Sequence, residues 1–426
     1  MPDADLLIRC AEPADVAIAD GLIVAVGREL GLSAAETVDA AGLHVLAGAV
    51  DAHVHFNDPG RADWEGWASG TAAAAAGGTT CVIDMPLNAH PPTLDADSFR
   101  QKLAAASAAS VTDFALWGGL VPGNVDRLAE LAELGVAGFK AFMCPSGIDD
   151  FEAADDVTLL EGMKEAARLG LPVAVHAESA AITEGLAARA MGHGWRDYAA
   201  SRPVAAELEA IARAIDLAEQ SGCSLHVVHV STGRGVRLVT AARARGVDVT
   251  CETCPHYLVL DEDDLEALGA IAKCAPPLRS RADRDDLRAE LAAGSVDFVA
   301  SDHSPAPPAL KEGDDAFAVW GGISGCQSLL ALALTEGVAH ELVSARPAAR
   351  FRLPGKGRLE PGADADLVLV DPAAETVLRA EDLRYRHPHS PYVGRRIRGR
   401  VAGTWLRGRP VVAGEPRGRF VRPALL

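Results

Sequence analysis

Residues 44–56 read HVLAGAVDAHVHF. The run is apolar and β-prone, and it ends in two histidines, His53 and His55, two positions apart. On an extended strand, residues i and i+2 point to the same face, so both imidazoles would leave one side of one strand end. Before this run the chain reads as short strands and turns at 5–8, 16–18, 22–26, 37–39 and 43–46, with no long helical period. From residue 44 onward, short apolar runs alternate with longer Ala/Leu/Arg-rich runs of helical period, the pattern of βαβ units on a parallel sheet.

Taking 45–56 as the first strand, seven more follow at 79–85, 113–120, 137–143, 172–177, 224–231, 247–252 and 297–302. Helical segments at 66–76, 98–109, 125–134, 159–169, 204–219, 233–244 and 284–293 separate them. Repeated strand–helix units in this number predict an α/β fold, a (β/α)8 TIM barrel with insertions. A doubly wound open sheet would call for a Gly-rich nucleotide loop after the first strand, and the sequence has none there. Past residue 353 the text is β-rich again, with a turn at 357–362, a strand at 365–370 and a hairpin from 401–407 and 410–413. The reading is therefore a composite β-sandwich domain from 1–48 and 353–426, and a barrel domain at 49–352.

In such a barrel the active site lies at the C-terminal strand ends. The fourth strand carries Lys140 in GFKAF, the fifth ends in His176, the sixth in His229 and the eighth in Asp302-His303. A lone H-x-H says little, because two hydrogen-bonded imidazoles can be purely structural. Four histidines, a lysine and an aspartate at corresponding strand ends are a different matter. Neutral imidazoles and carboxylates are the usual ligands of divalent ions, with Zn2+ the default and Co2+, Mn2+ or Fe2+ suited to the same donors. Lys140, flanked by Phe139, Ala141 and Phe142, cannot stay an ammonium beside two dications. It would deprotonate, or react with CO2 to give an anionic, bidentate carbamate able to bridge both ions. Two ions sharing a hydroxide supply a nucleophile at neutral pH, and Asp302 would serve as general base and then acid.

This residue set resembles the amidohydrolase superfamily in its binuclear cyclic-amidohydrolase branch, from GAVD at 48–51 through GRL at 357–359. The resemblance implies a TIM barrel with a β-sandwich from both termini. It implies that His53 and His55 hold the more buried ion, that His176 and His229 hold the other, that carboxylated Lys140 bridges them, and that Asp302 is ligand and base. Within the branch, the flanking words are most similar to the members that open allantoin, a hydantoin ring bearing a ureido arm. Those words are HFNDPGR at 55–61, DMPLN at 84–88, GFKAFM at 138–143, SGID at 146–149, HVVHVS at 226–231, CETCPHY at 251–257, SDHSP at 301–305, YRH at 385–387 and SPYVGR at 390–395. Dihydroorotases carry an arginine two residues after the second ligand histidine, where this chain has Asn57. Hydantoinases carry a tyrosine shortly after the bridging lysine, where this chain reads Met-Cys-Pro-Ser at 143–146.

For contacts to such a ring, Asn88 could hydrogen-bond a urea or imide group, or only shape its turn. Ser146 could touch the ring, although serines in Ser-Gly turns are more often structural. Ala275, in KCAPPL at 273–278, would offer backbone groups by the resemblance. His256 and His303 would orient other groups, and Gly321-Gly322-Ile323 would let backbone approach the substrate.

The formal charge of −19 speaks against nucleic acid, which calls for a basic face. The N-terminal text has no basic segment followed by an apolar one, so no secretory signal is read, and the apolar run at 43–50 is too short to span a bilayer. Eight cysteines in 426 residues read as reduced thiols in a cytoplasmic protein rather than a disulfide framework, Cys251 and Cys254 included. The expected partner is a small cyclic ureide, with no nucleic acid and no membrane; the resemblance adds a homo-oligomer, commonly a tetramer. A metal-free scaffold would lack the ligands, and a mononuclear deaminase of the superfamily would lack Lys140.

Overall fold

The structure, a computed structural model, describes residues 2–424. Its centre is the expected barrel. The strands are β1 (Ala49–Val54), β2 (Thr79–Asp84), β3 (Asp113–Leu116 continuing as Gly118–Gly119), β4 (Phe139–Phe142), β5 (Val173–His176), β6 (Leu225–Val227), β7 (Val249–Thr253) and β8 (Phe298–Val299). Neighbours pair in parallel from β1 to β3 and from the second half of β3 to β8. The ring closes beyond β8, where Val54 bridges His303 and the His55 amide donates to the His303 carbonyl at 2.7 Å.

The helices between strands follow from local sequence. Ala-rich Trp67–Ala76 is a good helix former. Asp95, Asp155 and Thr232 each accept a backbone N–H at the start of the helix they precede. Left-handed Gly170 and Gly222 end Asp156–Leu169 and Val204–Ser221.

Both termini build two further sheets. One orders Leu22–Gly27, Asp15–Ala19, Ala4–Arg9 and Ala34–Asp39; the other orders Arg409–Pro410, Arg396–Leu406, Leu367–Val377 and His44–Ala47. Leu6, Ile8, Val16, Ile18, Val45, Leu367 and Leu369 form one apolar core between them. Pairing is antiparallel except between Ala4–Arg9 and Ala34–Asp39.

One expectation needs correction. The strand read as 45–56 is two strands in two different sheets. His44–Ala47 pairs antiparallel with residues 367–370, whereas β1 pairs with β2. Gly48 stands between them. Its amide donates to the Asp366 carbonyl at 2.8 Å, and a Cβ there would lie 2.1 Å from Thr80 Oγ1. A side chain at 48 would push the chain off β2 exactly where it changes sheets, so hydrophobic patterning alone could not reveal the break.

We propose 1–48 with 353–426 as one unit and 49–352 as the other. Parts of the C-terminal segment return to the barrel: the Phe114 amide donates to the Arg419 carbonyl at 3.0 Å, and the Arg386 amide donates to Glu65 at 3.0 Å. The Lys356 ammonium, 2 % exposed as a side chain, joins the units through Asp113 at the start of β3 and Asp364 and Asp366, at 2.5, 2.7 and 2.8 Å. Burial raises the Asp366 carboxyl to about 6 despite that ammonium.

All eight cysteines are free thiols, seven of them buried. Among the described residues, no helix is long and apolar enough to cross a membrane.

Candidate active site

Strand ends bring the predicted residues to one barrel mouth. His53 and His55 leave β1 on one face, and His53 Nε2 and His55 Nε2 lie 3.2 and 3.6 Å from Asp302 Oδ1. Behind His53, its Nδ1 meets Glu252 Oε1 at 2.5 Å. The other Glu252 oxygen lies 3.2 Å from His226 Nε2, so one buried carboxylate serves two imidazoles. Burial raises the Glu252 pKa, but His53 and His226 outweigh it and hold the group down at about 2. Burial likewise opposes ionisation of Asp302, yet His53, His55 and His229 hold it well below the usual carboxylate range.

A second group adjoins the first. His176 Nδ1 and His229 Nε2 are 3.0 Å apart, and the His53 and His229 ring centroids are 5.5 Å apart. His176 Nε2 meets buried Glu178 at 2.8 Å, and Glu178 pairs in turn with Arg202. Phe142 stacks on the His176 ring at 4.4 Å. Burial lowers the pKa of His55, His176 and His229, which keeps these imidazoles neutral.

Lys140 sits on β4 among these groups. It is fully buried, and its Nζ has no hydrogen-bond partner among the described residues. The Phe142 ring lies 5.1 Å away. Burial pulls the ammonium down to about 7, against the pull of Glu252 and Asp302.

Four non-glycine residues around the site hold left-handed backbone: Asn57 (φ 64°), Asn88 (φ 67°), His229 (φ 41°) and Asp302 (φ 46°). Asn, Asp and His tolerate this region better than most residues, and such conformations gather where function fixes the chain. At β6 the left turn separates His229, at the site, from His226, which stacks on Phe298 at 4.9 Å.

His53, His55, His176, His229 and Asp302 face a cavity of about 470 Å³ that Asn88, Ser146 and Ala275 also line. Asn88 Nδ2 lies 3.4 Å from His55 Nδ1 and 3.5 Å from Ser304 Oγ. The Ser146 hydroxyl donates to the Phe151 carbonyl at 2.6 Å, which fastens its own loop. His256 is buried with both ring nitrogens unpartnered among the described residues, and His303 Nδ1 accepts from the Gly325 amide at 3.1 Å. Gly321 and Gly322 line the cavity; Gly322 has φ 113°, and a Cβ there would meet the Ser304 carbonyl at 2.2 Å.

Sequence reasoning missed Glu252, Glu178, Arg202 and the side chain of Lys273, all at or beside this cavity. Glu252 was legible as a carboxylate at the end of the seventh strand, and Glu178 as one two positions after His176. Arg202 and Lys273 lie in connections between strands, where spacing carries no signal.

The amidohydrolase family model matches residues 44–411. The chain belongs to the amidohydrolase family. Among amidohydrolase relatives, the allantoinase of Rubrobacter xylanophilus is 63 % identical, covering 97 % of this chain and 94 % of its own. The allantoinase of Solibacter usitatus is 53 % identical, over 96 % and 93 %. Among solved structures, the L-hydantoinase (dihydropyrimidinase) from Arthrobacter aurescens superposes with a TM-score of 0.94 at 35 % identity, over 98 % of this chain and 100 % of that one. This amidohydrolase chain is accordingly a hydrolase acting on cyclic amides.

Proposed function

We propose that the protein hydrolyses the ring amide of allantoin to give allantoate, a step of purine and ureide breakdown. The observation that carries the substrate is the 63 % identity to an allantoinase along nearly the whole of both chains. The strand-end cluster supports the chemistry. Its donors suit two divalent ions: the imidazoles of His53, His55, His176 and His229, the last three kept neutral by burial, the carboxylate of Asp302, and a buried Lys140 amine with no hydrogen-bond partner among the described residues. Zn2+ is the first choice, with Co2+, Mn2+ or Fe2+ compatible. Bound there, the ions would supply hydroxide at neutral pH and polarise the attacked carbonyl.

The chain's own groups do the rest. The Lys140 nitrogen, whose ammonium burial lowers to about 7, would form an N–C bond to CO2 and release a proton, giving a carbamate whose oxygens would serve as ligands to the ions. Glu252 fixes the His53 ring through Nδ1, leaving Nε2 toward Asp302. Asp302 takes the proton of the attacking hydroxide and returns it to the leaving ring nitrogen. Asn88 and the Ala275 backbone hold the ring, and Ser146 shapes the loop beside it. We further propose a homotetramer working in the cytoplasm.

The test is ring opening of allantoin, hydantoin, dihydrouracil and dihydroorotate by metal-loaded protein, with chelated protein and Lys140→Ala as controls. Allantoin is expected to turn over fastest and to be lost in both controls. The structural likeness to hydantoinases favours hydantoin as the second reading, and faster opening of hydantoin would establish it. No turnover of any ring with metal bound would overturn both.

A further inference from the structure

The cavity wall away from the histidine cluster carries cations the ring chemistry does not use. Arg202 lies 5.7 Å over the Tyr198 ring, but its charge is spent on Glu178. Lys311, behind the same wall, is held by the Gly322 and Ala270 carbonyls at 2.6 and 3.2 Å. Lys273 differs from both. It lines the cavity and is 6 % exposed, and its Nζ sits 4.6 Å over the Tyr198 ring. Its one acceptor among the described residues is the Val319 carbonyl. An ammonium has three donors, and a π face satisfies charge without accepting a directed hydrogen bond. Burial, with Arg202 nearby, lowers this ammonium to about 8.

We propose that the Lys273 ammonium is a specificity-determining group that donates hydrogen bonds to the carbonyl oxygen of the ureido arm on the substrate ring. The inference rests on the allantoin reading. The ureido arm is the polar feature allantoin has and bare hydantoin lacks. A urea oxygen is a strong neutral acceptor, and Lys273 has open donor capacity on the cavity wall. Lys273 makes no hydrogen bond or ion pair with His53, His55, His176, His229 or Asp302, so it would read the arm and leave the scissile amide to the strand-end cluster.

The competing role is purely structural, in which Lys273 serves only to fasten the 319–322 loop through the Val319 carbonyl. The experiment compares wild type, Lys273→Met and Lys273→Arg in steady-state opening of allantoin, with hydantoin as a competing ligand. Wild-type turnover of allantoin is measured first, and its absence would count against the functional reading rather than against Lys273. Given that turnover, Lys273→Met is expected to raise the allantoin KM about tenfold or more, the factor that ~1.4 kcal/mol represents, with kcat within threefold. Lys273→Arg should recover most of the loss. Hydantoin should compete with allantoin equally well in wild type and in Lys273→Met. An unchanged KM for allantoin overturns the proposal. So does a matching weakening of hydantoin, or a fall in kcat alone, either of which marks a loop fastener. Dihydroorotate, which bears a carboxylate, is the third ligand; stronger competition by it in wild type, lost in Lys273→Met, would overturn the ureido arm in favour of an anionic one.

Discussion

A carboxylate behind an imidazole decides which of its nitrogens faces the cavity. Glu252 engages His53 at Nδ1 and leaves Nε2 toward Asp302, whereas Glu178 engages His176 at Nε2 and leaves Nδ1 toward His229. Such partners orient a ligating ring and raise its basicity, and losing one typically costs about 10- to 100-fold in metal affinity or activity. Glu252→Gln keeps the shape and removes the charge. It is expected to lower retained metal and ring-opening rate by that factor while thermal unfolding changes little; metal analysis after gel filtration, with kinetics, checks it. The six expected residues were legible because a barrel strand fixes where its last side chains go. Glu252 and Glu178 were visible as carboxylates near strand ends but not in their role, because a buried carboxylate looks the same in sequence whether it serves an imidazole or caps a turn. Ser146 was readable as a cavity residue, but nothing in Ser-Gly says that its hydroxyl is spent on Phe151.

At the scale of elements, most helix bounds follow from caps and period: the segment read as 233–244 is the helix Gly233–Ala244, and 204–219 is Val204–Ser221. Short helices such as Ala180–Ala187 and Trp195–Ser201 went unread because insertions near the mouth carry no repeating pattern. The joint between barrel and sandwich was equally silent, since Asp113 lies far in sequence from Lys356, Asp364 and Asp366. Removing one member of a buried ion network leaves charge without a partner and costs about 3–5 kcal/mol. Lys356→Met should destabilise the protein by that amount in chemical denaturation at pH 7. Asp366 is already raised to about 6 by burial. Folded protein therefore takes up its proton before unfolded protein does, and the cost of burying an unpaired carboxylate falls as pH drops through 6. The deficit of the variant should narrow between pH 7 and pH 5; a constant deficit would show that the ammonium acts by packing alone.

The molecule as a whole is held by pairings of high sequence separation. His44–Ala47 finds its partner at 367–370, and Phe114 its own at 419–421. A chain ended after residue 352 keeps all eight barrel strands but loses that edge partner and Lys356. It is expected to be insoluble, or to unfold without a cooperative transition, when followed by circular dichroism and sedimentation. The same pairing sets an order of events on the ribosome. Synthesis at about 5–20 residues per second puts the emergence of 367–370 on the order of tens of seconds after that of 44–47. Through that interval the apolar side chains of Leu6, Ile8, Val16 and Ile18 wait for the sheet that covers them, while the barrel strands emerge in turn. The nascent chain therefore presents its first-made sheet to chaperones longer than any other part of itself, and the last strands to be translated release it.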